Sequence, residues 1–150
     1  MTIPEEEFSK FKLTKGDIII ARTGATVGKA YLYNNDKEMV FASYLIRFRT
    51  NPNIILPEYL YIFMQSSLYW NHIFKEQSGT GQPNVNAKKL GNLEVIYPKE
   101  ISKQKQIIEN AKNFKTHLKI LYEEQENISF QLKQLPKSVL SKAFKGELIS

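Results

Sequence analysis

Nine consecutive residues, Ser78-Gly79-Thr80-Gly81-Gln82-Pro83-Asn84-Val85-Asn86, hold two glycines, a proline and five side chains able to donate or accept hydrogen bonds. No helix or strand tolerates that composition, so the stretch is expected to be an ordered loop. Thr80, Gln82 and Asn84 offer a hydroxyl and two amides, and Lys88 and Lys89 follow at once. A second glycine loop carries Arg22, Thr23 and Lys29. Asn and Gln can engage adenine bidentately, while Arg and Lys engage guanine or phosphate, so the two loops together have the chemistry to read a nucleic acid. Asn84 and Asn86 have an equally good second role, bonding to the backbone of their own loop.

Other chemistries fit less well. Gly24-Ala-Thr-Val-Gly28-Lys29-Ala30 suggests a phosphate-binding loop, but it is one residue short between the glycines and ends in Ala30, where a Ser or Thr would hold magnesium. A strand is expected after it, which removes the helix N-terminus that would receive the phosphate. His72 and His117 are far apart and lack acidic neighbours at metal-ligand spacing. There is no cysteine, no serine in a nucleophile elbow, and no acid followed two residues later by lysine as in a common nuclease core. A non-enzymatic chain with no cofactor is expected.

The charge balance agrees with a polyanionic partner. The formal net charge is +6, with twelve basic against ten acidic residues up to position 100 and nine against five beyond it. The excess is spread along the chain, as on a folded surface that tracks phosphates. A lysine-rich protein with no such role would look similar. No secretory leader or membrane-length apolar run is present in the sequence, so a cytoplasmic protein without membrane contact is expected.

These loops need a scaffold. Residues 1–15 read as a short helix or lead-in. Asp17 to Arg22 is apolar on both faces and should be a central strand. Lys29 to Tyr33 reads as a second strand and Met39 to Arg49 as a third, alternating between faces. Pro57 suits the first position of a helix running to about Ser66, followed by a helical piece from Leu68 to Glu76. Asn86 should cap a short turn from Ala87 to Leu90, and Leu93, Val95 and Tyr97 should form a last strand ended by Pro98.

From Ile101 onward the pattern changes. Ile107, Ala111, Phe114, Leu118, Leu121, Gln125, Ile128, Leu132 and Leu135 recur in steps of four and three, one apolar seam over roughly four heptads. Lys103, Lys112, Lys119, Glu123 and Lys133 lie on the other face. Such a helix packs either on its own domain or on another helix. At 1.5 Å per residue it would be roughly 50 Å long, more than a body of a hundred residues can cover, so part of the seam should meet something else. Its flanks (Lys115, Tyr122, Ser129; His117, Glu124, Gln131) make no parallel charge pairs, leaving antiparallel pairing at least as suitable. Pro136 should kink or restart the helix, and Val139 to Phe144 should form a short terminal helix stopped by Gly146. The fold class is α+β: a small mixed or antiparallel sheet with short helices, then a long coiled-coil helix.

Three stretches carry a family likeness. Gly16-Asp-Ile-Ile-Ile-Ala-Arg-Thr-Gly-Ala-Thr-Val-Gly-Lys29, Ala42-Ser-Tyr-Leu-Ile-Arg47, and Gly79-Thr-Gly-Gln-Pro-Asn-Val-Asn-Ala87 leading to Pro98 and Gln104-Lys-Gln-Ile-Ile108 closely resemble the DNA-specificity (S) subunit of Type I restriction-modification enzymes. The closing segment from Ser138 to Leu148 is similar to the family's helix-ending segment. The resemblance implies a target-recognition domain over residues 1–98 and a spacer helix with a short terminal helix over 99–150. In the family, two such helices pair antiparallel as a ruler between two half-sites. It also implies double-stranded DNA as ligand, and partners in methyltransferase (M) subunits and, through them, restriction (R) subunits. A second S half or a second copy would cover the helix. Recognition domains of the family carry a further stretch before the position of Phe8, so this one is expected to be partial at its N-terminal side.

Overall fold

The structure is a computed structural model, and it describes residues 9–77 and 84–146. The chain divides into two compact units, Met1–Ile108 and Glu109–Ser150.

In the first unit β1 (Ile18–Ala21) lies between β2 (Ala30–Leu32) and β3 (Leu45–Phe48), all antiparallel, in the order β2-β1-β3. The central strand is therefore the most apolar one, as its composition requires. The register sets Ile18 between Leu32 and Phe48, and Ile20 between Ala30 and Ile46. Those six side chains share the inner face, where Ile18 and Ile20 are completely buried. Ile19, paired with Tyr31 and Arg47, alternates to the other face and is half-buried.

Helices α1 (Pro57–Phe63), α2 (Ser67–Glu76) and α3 (Ala87–Gly91) complete the core. Pro57 occupies the first turn of α1, where its missing N–H costs nothing. Ser66 caps α2 by accepting a hydrogen bond from the Tyr69 amide. Leu60, Phe63, Tyr69, Ile73, Val85 and Leu90 then close over Ile18 and Ile20. Burying one such side chain contributes about 1.5–3 kcal/mol, so this cluster dominates the stability of the unit.

Three expectations about elements are corrected. The third strand is only Leu45–Phe48 rather than Met39 to Arg49, because the Leu45 amide bonds back to the Ala42 carbonyl and closes a turn where the ladder would have continued. No strand forms at Leu93, Val95 and Tyr97. Leu93 and Val95 pack on the core while the Ile96 carbonyl accepts from the Tyr59 hydroxyl at 2.9 Å, a side-chain bond in place of a ladder. The long helix α4 runs unbroken from Ile101 to Phe144 with Pro136 inside it, so it does not restart and there is no separate terminal helix. A proline forfeits one backbone bond, and on an exposed helix the freed carbonyl is hydrated.

The first turns of α4 belong to the first unit, and Gln104 and Ile108 are buried there. The Gln104 side chain accepts from the Leu56 amide at 2.8 Å and donates to the Ile54 and Pro98 carbonyls at 2.8 and 2.9 Å. At the start of β1, the buried Asp17 carboxylate receives two hydrogen bonds from the Arg49 guanidinium, at 2.7 and 3.2 Å, and one from the Thr14 amide at 2.9 Å.

The second unit is the remainder of α4. Phe114, Leu121, Ile128, Leu132 and Leu135 are each more than half exposed, and Gln125 is exposed among them. Ala111 and Leu118 are half-buried. Because the helix is continuous, Val139, also half exposed, extends the seam by one more step of four.

Candidate nucleic-acid interface

The two glycine-bearing loops, far apart in sequence, meet. Thr23, just beyond β1, forms an isolated antiparallel bridge with Asn84, and the Val85 amide donates to the Arg22 carbonyl at 2.9 Å. Val85 is fully buried, so this junction is anchored by core packing as well as by hydrogen bonds. Arg22, Thr23 and Asn84 are therefore held side by side at the backbone.

Between β1 and β2 the chain turns through a single 3-10 turn, Gly24–Thr26. The Gly28 amide donates to the Ala21 carbonyl at 2.8 Å, and the Ala21 amide to the Lys29 carbonyl at 3.0 Å, which closes the hairpin below the turn. Gly28 has φ +80°, and a Cβ there would stand 2.8 Å from the Ile73 side chain. Glycine is required on both counts. The Gly28 carbonyl accepts from the Tyr69 hydroxyl at 2.6 Å in the buried interior, and burial pushes that phenol well above its ordinary pKa. Ala25, Thr26 and Lys29 stay exposed at the tip and on its far side.

The residues after Asn84 divide by role. Asn86 accepts from the Lys89 amide at 2.9 Å and caps α3, the local backbone role that its type also allowed. The Lys89 ammonium donates to the Glu76 carbonyl at the end of α2, and the Lys89 carbonyl meets the His72 ring at 3.0 Å. Lys89 thus joins α2 to α3. Lys88 and Asn84 are exposed. Thr80 and Gln82 lie outside the described residues. Among the described residues, no group of three His, Cys, Asp or Glu side chains is placed to hold a metal ion, and no helix is long and apolar enough to cross a membrane.

Three buried polar side chains were not singled out in the sequence. Tyr69 is one more aromatic residue on α2, and nothing in its spacing signals that its hydroxyl reaches the Gly28 carbonyl. Gln104 sits among polar helix residues and gives no sign that it is completely buried. Asp17 had a visible signal, an acid at the head of a strand otherwise apolar. There the carboxyl is pushed up by burial, but the Arg49 hydrogen bond and charge and the Thr14 amide outweigh this and hold it below its ordinary value.

The first unit is an antiparallel sheet with short helices and two joined polar loops, and the second is a long helix with an exposed apolar seam. Residues 2–136 match the family model described as Type I restriction modification DNA specificity domain, and the chain belongs to that family. It is similar to the Type I restriction enzyme EcoBI specificity subunit of Escherichia coli, 25% identical over 95% of this chain and 30% of that protein. The EcoKI specificity subunit of Escherichia coli strain K12 is 26% identical over 96% of this chain and 32% of its own length. The StySPI specificity subunit of Salmonella potsdam is 24% identical over 97% and 32% respectively. The chain thus spans about a third of the length of these relatives.

Proposed function

We propose that this chain is a non-catalytic DNA-recognition element of a Type I restriction-modification system. In this reading residues 1–98 form a recognition domain for double-stranded DNA, and residues 99–150 form a spacer helix that pairs antiparallel with another S half or a second copy. Arg22, Thr23, Lys29, Asn84 and Lys88 contact the duplex together with Thr80 and Gln82, while Lys89 contributes beside its bond to Glu76. The paired halves seat M subunits, and through them R subunits, on a bipartite site in the cytoplasm. The single observation that carries the reading is the Thr23–Asn84 bridge, which unites the two polar loops in a member of a DNA-specificity family.

The test is a gel-shift titration at two salt concentrations. About four to five phosphate contacts give a log–log slope near −4, a loss on the order of a few hundredfold in affinity between 50 and 200 mM salt. Lys29→Ala should lower the slope by about one and weaken all sequences alike. Binding that is absent or independent of salt, alone and with a matching M subunit, overturns the proposal.

The exposed seam from Phe114 to Val139 favours a second reading, an interaction module that captures M subunits or another S chain without reading DNA. Capture of an M subunit with no affinity for any duplex would select it.

A further inference from the structure

The loop Arg22–Lys29 is clamped at both ends and bare at its tip. At one end, the Arg22 carbonyl takes the Val85 amide. At the other, Gly28 lies directly against Ile73 and Trp70 of α2, and its carbonyl takes the Tyr69 hydroxyl at 2.6 Å. The exposed residues Ala25 and Thr26 stand between these anchors. The Tyr69 ring is already fixed by packing edge-on against Trp70 at 5.7 Å between centroids, so the hydroxyl is not needed to bury the ring. Among the described residues, its polar partner is a carbonyl of the loop that holds Arg22, Thr23 and Lys29.

We propose that Tyr69 is a positioning residue for DNA recognition: its hydroxyl holds the Gly28 carbonyl so that the turn Gly24–Thr26 meets a duplex already ordered, and the tip residues Ala25 and Thr26 join the contact surface. This rests on the duplex-reading role proposed above. A loop ordered in advance avoids the entropy cost of ordering at the moment of binding. Removing the hydroxyl removes no cation, so it changes affinity without changing the number of phosphates neutralised.

The experiment compares the wild-type chain, Tyr69→Phe and Arg49→Met, the last a substitution at the other end of β1. Each is tested against a random-sequence duplex pool and the duplex that the wild type enriches from it, at a temperature where all three are folded. Amide hydrogen exchange is followed over residues 24–29. Tyr69→Phe should exchange faster across that segment and bind the enriched duplex about tenfold more weakly, the factor that about one lost hydrogen bond gives, with an unchanged salt slope. Arg49→Met should bind like the wild type, and any faster exchange it shows should be spread over the whole first unit and not confined to residues 24–29. Wild-type exchange and affinity in Tyr69→Phe, or an equal loss in Arg49→Met, overturns the positioning role while the duplex-reading role stands. Failure of the wild-type chain to bind any duplex overturns both.

Discussion

Gln104 and Asp17 show what a buried polar side chain does when every partner is present. Gln104 satisfies three backbone groups that would otherwise be stranded around the start of α4. Gln104→Leu keeps the bulk and strands all three, at about 1–3 kcal/mol for each buried group. We expect a loss of about 3–5 kcal/mol in urea unfolding, a large share of the 5–15 kcal/mol typical of a domain. Asp17 is tied to pH. Its folded-state pKa lies below its ordinary value of 3.8, so the pair with Arg49 contributes fully above that value, and the contribution is lost as pH falls through the lowered one. Arg49→Met leaves a buried carboxylate without its cation. A fully buried pair broken in this way costs about 3–5 kcal/mol, and Arg49, half exposed, brings the cost to about 1–3 kcal/mol. Urea unfolding near neutral pH should show that gap, and the gap should narrow as pH falls below 3.8 and through the lowered value, where the wild type also loses the ionised carboxylate.

At the scale of elements, side-chain chemistry decides where the ladder and the helices stop. The central strand was legible because Ile18, Ile19 and Ile20 leave no polar face, and α1 to α3 were legible through Pro57 and Asn86, whose types suit helix starts. Alternation misled at Met39 to Tyr44, where a turn bond from Leu45 to Ala42 intervenes, and at Leu93 to Tyr97, where alternate apolar residues reach the core from an irregular segment. Alternation reports which side chains are buried, not whether a neighbouring strand is there to pair. The candidate site was proposed from residue types in two loops. Their union through Thr23, Asn84 and Val85 was not, because a long-range bridge leaves no mark on local spacing. Pro136 misled in the opposite direction: its local rule is strong, yet the helix continues through it.

At the scale of the molecule, the seam on α4 has to be accounted for. Phe114, Leu121, Ile128, Leu132, Leu135 and Val139 expose apolar surface in steps of seven, four and three, far more regular than the scattered apolar residues of an ordinary surface. Each of these side chains is worth about 1.5–3 kcal/mol when buried, so leaving several in water is costly, and the proposed cover is a second helix. In the proposed pairing the flanks (Lys115, Tyr122, Ser129; His117, Glu124, Gln131) make no parallel charge pairs, so an antiparallel partner is at least as suitable as a parallel one. Gln125, near the middle, favours the register in which its amide finds a polar partner, at some cost in stability. Replacing Leu118 and Leu121 together by Asp sets two charges in the apolar seam of the second unit. In sedimentation velocity the wild-type chain should associate in a concentration-dependent way, and the double variant should remain monomeric with its thermal transition unchanged. A wild-type chain that stays monomeric up to high concentration while an unlike S fragment binds it would assign the seam to that fragment. A double variant that associates like the wild type would show that contact between chains does not use this seam.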